Sequence, residues 1–557
     1  MSSPQAFRGA RPAEYRTARP PRDRLRAPRE DREVVAEPSL GQVPTLLDDN
    51  RRLLAQAGVH LLGRPLDELR REARASALHA ARAYFTTAGE PLPDAATDSL
   101  LLAGHQPELF HPGVWVKNFA LNGLARRHSA TPLNLVVDND TARTTLLRVP
   151  SPQHDNSGSD GAAAARSRFA SIPFDQWVQE APYEERPVRD EELFASTPER
   201  VRAALGGVAF EPLLPAFWLE VLSQARRTPL LGERFAAARR AIERRWGCHN
   251  FELPVSTLCG TPSFAWFAGH LLAHLPQFHS FYNEAVRRYR RTYGIRSRNH
   301  PVPDLATNGD WLETPFWAWR TGQGRRRRLW ARRAGAALEL RAGDELWPSL
   351  PFPEDGGTQG LVSAWQELHN AGLKIRSRAL TTTLYARVFL ADLFIHGIGG
   401  GKYDELTDEL IRRFYGVEAP GFLVLSATLL LPLADAARRT DCRGLKNTLR
   451  DLHYNPQRHL GPEAASGELV ARRQELVGMQ PTDRTGRRER YRQLRRLTEA
   501  LRPYVAGREE AVRQELMRCV EEVRTAAVLR RRDYAFCLHP EVSLRPFLTG
   551  FLSPETC

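Results

Sequence analysis

Three segments of the 557-residue chain carry residue types and spacings that could do chemistry. The first is Gly104–Gly113, GHQPELFHPG. A short apolar run, Leu100–Ala103, precedes it and a helical pattern, Val114–Arg127, follows it. The loop therefore lies past the carboxyl end of a strand and before a helix N-terminus, where free backbone N–H groups and the helix dipole favour an anion. His105, Gln106 and His111 add side-chain donors and a proton carrier near neutral pH. A plainer reading has Pro107, Pro112 and Gly113 shaping a tight loop that the histidines cap. The second segment is Asp138-Asn139-Asp140, closing the strand Leu133–Val137. Two carboxylates there could hold magnesium or bind an amine or a sugar hydroxyl, or they could form an Asx turn with a helix cap.

The third segment is His396–Glu405, HGIGGGKYDE. Its glycines allow backbone approach to a ligand, and Lys402 is expected to open a helix. It is not a Walker A loop, because His396 stands at the first-glycine position and Tyr403 replaces the Ser/Thr that would bind magnesium. Phosphate binding by Gly399, Gly400, Gly401 and Lys402 competes with a simple strand-to-helix turn. Arg376 and Arg378 alternate along a strand-like stretch, Lys374–Leu380, so they are expected to share a face and clamp an anion.

The formal charge of +14 points toward nucleic acid, but its composition does not. Of the 79 basic residues only Lys117, Lys374, Lys402 and Lys446 are lysines, the skew of a GC-rich coding bias. Lysines that survive it mark sites needing a compact ammonium, and three of them lie in or beside the candidate segments. The Arg325–Arg328 run reads as the solvated end of a β-hairpin, and Arg298–Pro301 as a polar loop. Nucleic acid is not the expected partner.

These segments need a scaffold. With 42% hydrophobic residues the chain can bury a sizeable core. No apolar run approaches the roughly 20 residues of a membrane span, and the Arg/Pro-rich start lacks a secretory apolar stretch. Six scattered cysteines without a C-x-x-C pair suggest a reduced, cytoplasmic protein without a structural metal. Residues 1–40 read as a disordered tail, and Pro44–Gly89 as two amphipathic helices. Strand, loop, helix and strand then form a βαβ unit of an α/β parallel sheet. His154–Arg166 reads as an exposed loop, Leu253–Cys259 as a strand and Ser263–Tyr293 as one long helix. Residues 311–347 form a three-stranded β-meander inserted in the core (41–460). Parallel patterning resumes with the strand Lys374–Leu380, a helix Thr381–Phe394, a helix Asp404–Tyr415 and the strand Phe422–Ser426. Residues 461–532 read as an antiparallel helical hairpin, a coiled coil whose leucine stripe would support a homodimer. Residues 533–557 return to the core.

Taken together, the loop Gly104–Gly113, the helix carrying Lys117, the strand ending on Asp138–Asp140, the Gly399–Glu405 turn and the Pro420–Ser426 strand occur in an order that resembles the bacillithiol-synthesis cysteine-adding enzymes. That resemblance covers most of the chain from about residue 95 onward. It implies a Rossmann-like core, a coiled-coil dimer, binding of ATP or ADP with magnesium, and ligation of cysteine to an amino-sugar. On it, His105 is the expected base, Asp138 and Asp140 orient the amine with Gln106 beside them, and Gly104, His111, Lys117, Lys402 and the glycine amides hold an anion. A non-catalytic nucleotide or sugar binder and a structural dimer are the rival readings.

Overall fold

The computed structural model describes residues 25–94, 97–153, 166–206, 208–353, 358–433, 441–460 and 467–553. Helix accounts for 54% and strand for 17%, a mixed α/β protein. Its main sheet has six strands in the order Val34–Glu37, Leu423–Ala427, Leu393–His396, Leu100–His105, Thr131–Val136 and Phe251–Pro254. The first pairs antiparallel and all the others parallel. Parallel strands are buried on both faces and read as continuous apolar runs. Successive side chains accordingly feed two cores: Leu100 and Leu102 enter one, Leu101 and Ala103 the other.

Several expectations are corrected. The tail does not extend to residue 40, since Val34–Glu37 forms the sheet's antiparallel edge. The meander has four strands, not three: Trp311–Arg320, Arg327–Ala334, Ala337–Ala342 and Glu345–Pro351. Leu373–Ser377 does not return to the parallel sheet but pairs antiparallel with Trp311–Arg320, because the intervening helix Thr358–Asn370 packs on the meander. Leu253–Cys259 splits into a strand end and a short helix, Val255–Leu258. Ser263–Tyr293 is two helices, broken at His274 ahead of Pro276. The helix begun at Ala379 ends in a π-helical turn at Leu390, so Phe394 lies in a strand. The helix expected at Asp404–Tyr415 starts at Ile398 and takes in Gly399–Gly401, which puts Lys402 in its second turn rather than at its opening. Most of the His154–Arg166 loop lies outside the described residues, as does Cys557.

The cysteines are not all reduced. Cys442 and Cys519 form a disulfide 77 residues apart, joining the helix Arg443–Tyr454 to the long helix Ala506–Leu529 that packs against it. Gly467–Gly478 packs on Arg484–Leu501, and Pro503 sits in a single 3-10 turn before Ala506. After these helices, Tyr534, Phe536 and Leu538 plunge into the core beside Trp115.

The far edge of the sheet is closed by buried charge. Glu252, fully buried on its edge strand, accepts from Arg239 at 2.5 Å, Arg240 at 2.8 Å and Asn134 at 2.6 Å. Burial opposes its charge, but the two guanidiniums outweigh burial and hold its pKa below the usual carboxylate value. Replacing it by Gln leaves Arg239 with Glu243 and Arg240 with Glu90 as their remaining carboxylates, and Glu252→Gln is expected to cost about 1.5–3 kcal/mol in urea unfolding. Because the folded pKa is lowered, the ionised pair contributes stability above the unfolded carboxyl value and loses it as pH falls through the folded one. Acid destabilisation below about pH 4.5 is expected to be shallower in the variant, measured by thermal unfolding against pH.

Candidate functional site

The strands Leu393–His396 and Leu100–His105 are parallel neighbours, so their carboxyl ends share one edge. Both candidate loops leave from that edge and line one cleft of about 1260 Å³. Small-ligand pockets usually measure roughly 300–1,000 Å³, so this one has room for more than one small ligand. One wall comes from the antiparallel sheet through Trp317, Arg326 and Arg378, and the mouth from Arg26, Arg29 and Arg530–Asp533.

At the floor, His105 closes its strand with Nδ1 3.1 Å from the Gln106 carbonyl. Burial first, and the Lys117 ammonium second, push its pKa down to about 3. It is therefore unprotonated near neutral pH. His111 caps the following helix, its Nδ1 accepting from the Gly113 N–H at 3.1 Å, so the cap reading describes it. It too is pushed down, to about 4, by burial. Gly104 lies on the cleft, and its carbonyl accepts from Lys117 Nζ at 3.3 Å. Burial alone lowers the Lys117 ammonium to about 8, which leaves it charged at neutrality but able to lose its proton just above.

Gln106 and Asp140 face the cleft as a pair, Gln106 Nε2 donating to Asp140 Oδ2 at 2.8 Å. Asp140 also accepts from the Thr141 N–H at 2.9 Å and pairs with Arg326 at 2.9 Å. Asn139, 3% exposed on the cleft wall, donates to the Ser377 carbonyl at 2.8 Å while its Oδ1 has no partner among the described residues. Arg326 and Arg378 both lie over the Trp317 ring, 5.0 and 4.1 Å from its centroid, an arrangement that orients two guanidiniums at little rotamer cost.

Other expected residues fall away from the cleft. Asp138 turns to the far side, accepting from the Ser256 N–H at 2.9 Å and from its hydroxyl. Burial, then Glu184, push its carboxyl up to about 7. Asp138 and Asp140 thus do not converge on a magnesium ion. Arg376 and Arg378 do not form one clamp: Arg376 is locked by Glu184 at 2.9 and 3.0 Å, and Arg378 sits beyond the strand end, paired with Glu313 at 2.8 Å. Lys374 is held by Glu184 and Glu185. Gly399 and Gly400 line the cleft, whereas Gly401 packs on the sheet, where a Cβ would come within 2.4 Å of Val424. Lys402 is half-buried on the helix and outside the cleft.

Sequence reasoning placed Asn139 and His396 in candidate segments without giving either a role, and passed over Trp317, Arg326 and Arg532 as cleft residues. Arg532 crosses the N-terminus of the helix Pro112–Arg127 and donates to Ser426 Oγ and the Ala427 carbonyl, both at 3.0 Å. The signal for His396 was available, since it closes a strand immediately before the glycines. The arginines were indistinguishable from their many exposed counterparts.

No protein-family model matches the chain, and no characterised protein matches it significantly. The site is therefore read from its own geometry. If the cleft binds ADP beside Arg378, Arg378→Ala is expected to weaken binding by about 1.5–3 kcal/mol, and Lys402→Ala to leave it unchanged, by calorimetric titration. Affinity for ADP is also expected to fall as pH rises through about 8, where Lys117 loses its charge, and Lys117→Met to remove that step.

Proposed function

We propose that the protein is a ligase-type enzyme, related to the bacillithiol-synthesis cysteine-adding enzymes, joining a cysteine-like carboxylate to an amine or amino-sugar. The observation that carries this reading is the composition of the cleft. Cationic Lys117, Arg326, Arg378 and Arg532 line the cleft together with two carboxylates, Asp140, which Gln106 and Arg326 hold, and Asp533. Cations suit the acid and its activating group; the acceptors suit an amine or sugar hydroxyl.

Joining a free carboxylate to an amine in water is uphill, so the acid must arrive activated or be activated by a nucleoside triphosphate. The anion-seeking groups at the N-terminus of the helix Pro112–Arg127 are where ATP or ADP phosphates would sit. Juxtaposing two bound reactants would then supply most of the rate by removing their translational freedom. In this reading the parallel sheet is a Rossmann-like core, helices Gly467–Gly478 to Ala506–Leu529 are a hairpin serving a homodimer, and the enzyme works in the cytoplasm.

Incubating the protein with ATP, magnesium, cysteine and glucosamine is expected to yield an amide product detectable by mass spectrometry. A matching thiol metabolite is expected to vanish from a deletion strain. Tight ATP binding without any product would instead indicate a nucleotide carrier or sensor.

A further inference from the structure

We infer that His396 is the proton acceptor of the cleft, taking a proton from the attacking amine on Nδ1 while Asp404 holds its Nε2–H. The inference rests on the ligase reading, which requires an amine to lose a proton before it attacks. It also gives a role to a buried cluster that the binding of anions leaves unused.

His396 ends the strand Leu393–His396, is 5% exposed and lines the cleft. Its Nε2 lies 3.0 Å from Asp404 Oδ2, eight residues along on the helix Ile398–Leu410. Asp404 is pinned from behind by Arg387, a guanidinium 1% exposed that also bonds Asp408 and the Pro420 carbonyl. Burial works against the Asp404 charge, but Arg387 and His396 outweigh it and keep the carboxyl well below its usual range. An ionised carboxylate only accepts. The hydrogen on the Asp404 side must therefore belong to Nε2, and a neutral imidazole has just one, so the lone pair is on Nδ1.

Nδ1 looks toward Gly400. A Cβ at residue 400 would stand 2.8 Å from it, closer than real Cβ contacts come. Any side chain there would cover the lone pair, so the glycine leaves it open to the cleft that both residues line. Gly400 thus has a steric reason to be glycine that phosphate binding does not supply. Burial first lowers the His396 pKa, Asp404 opposes this, and Arg387 and Lys117 add to the lowering, so the ring waits unprotonated. In the step, one N–H bond of the substrate ammonium breaks, its electron pair stays on nitrogen, and the proton passes to Nδ1. The imidazolium formed is balanced by Asp404, a positioning residue.

The test has two arms. In protein labelled with 15N-histidine near neutral pH, the His396 resonances, assigned by their loss in His396→Gln, are expected to show the Nε2–H tautomer. In turnover assays with ATP, magnesium and cysteine, His396→Gln is expected to lower turnover with glucosamine by about 10²–10⁴-fold. Turnover with hydroxylamine, already a free base near neutral pH, is expected to be spared. The glutamine keeps an N–H for Asp404, which protects the fold. A Nδ1–H tautomer, an imidazolium, or equal loss with both nucleophiles would overturn this inference alone. Absence of turnover by the unaltered protein with either nucleophile would remove the ligase reading and the inference together.

Discussion

A helix with no open face has to find a partner for every polar atom it carries, and the helix Pro112–Arg127 is buried along almost its whole length. A Cβ at Gly113 would meet the Ala427 carbonyl at 2.0 Å, and one at Gly123 the Phe551 carbonyl at 2.0 Å, so backbone alone fits at both contacts. Its side-chain donors are then satisfied by other elements, although Asn122 Oδ1 finds no partner among the described residues. Trp115 and Asn118 donate to Glu243 at 2.6 and 2.8 Å, Asn122 to the His249 carbonyl at 2.8 Å, and Lys117 to Gly104. Glu243 in turn needs Arg239, and Arg239 needs Glu252 on the edge strand. One desolvated helix thereby fixes the sheet edge, the C-terminal segment and the floor of the cleft.

The same constraint explains the cleft's electrostatics. Its floor is so enclosed that the His105, His111 and Lys117 pKa values are all lowered, because each would have to carry a charge away from water. Desolvated cations are costly when the cleft is empty and strongly attractive to an anion that enters it. The His396–Asp404–Arg387 chain is different, since its charges compensate one another within the protein.

How much of this could be read from the residues divides along physical lines. The parallel core was legible because strands such as Leu100–Ala103 and Leu133–Val137 are short apolar runs bounded by glycine, proline or aspartate, and such runs have few alternatives. The loop Gly104–Gly113 and the turn at His396–Gly400 were found for the same reason. Alternation along Lys374–Leu380 showed a strand but not its sheet, because sheet membership is decided by distant packing, here against Trp311–Arg320. Direction within a short polar cluster was equally hidden. Asp138, Asn139 and Asp140 are adjacent in sequence, yet Asp138 turns to Ser256 while its two neighbours face the cleft. Of the lysines that scarcity singled out, Lys117 lines the cleft, whereas Lys374 meets acidic neighbours and Lys402 lies on a half-exposed helix face. The disulfide was invisible because nothing in the spacing of Cys442 and Cys519 brings their helices together.

The cleft is assembled from two sheets with separate origins in the chain. Strand ends of the parallel sheet contribute His105 and His396 and the helix Pro112–Arg127 contributes Lys117, whereas Trp317, Arg326 and Arg378 arrive with the antiparallel sheet. In the proposed ligase, reactivity and recognition are therefore carried by different modules. Sequence drift in the insertion would there retune which molecule is admitted while the strand-end chemistry stays untouched, a division that would let one scaffold diversify its substrates without rebuilding its engine.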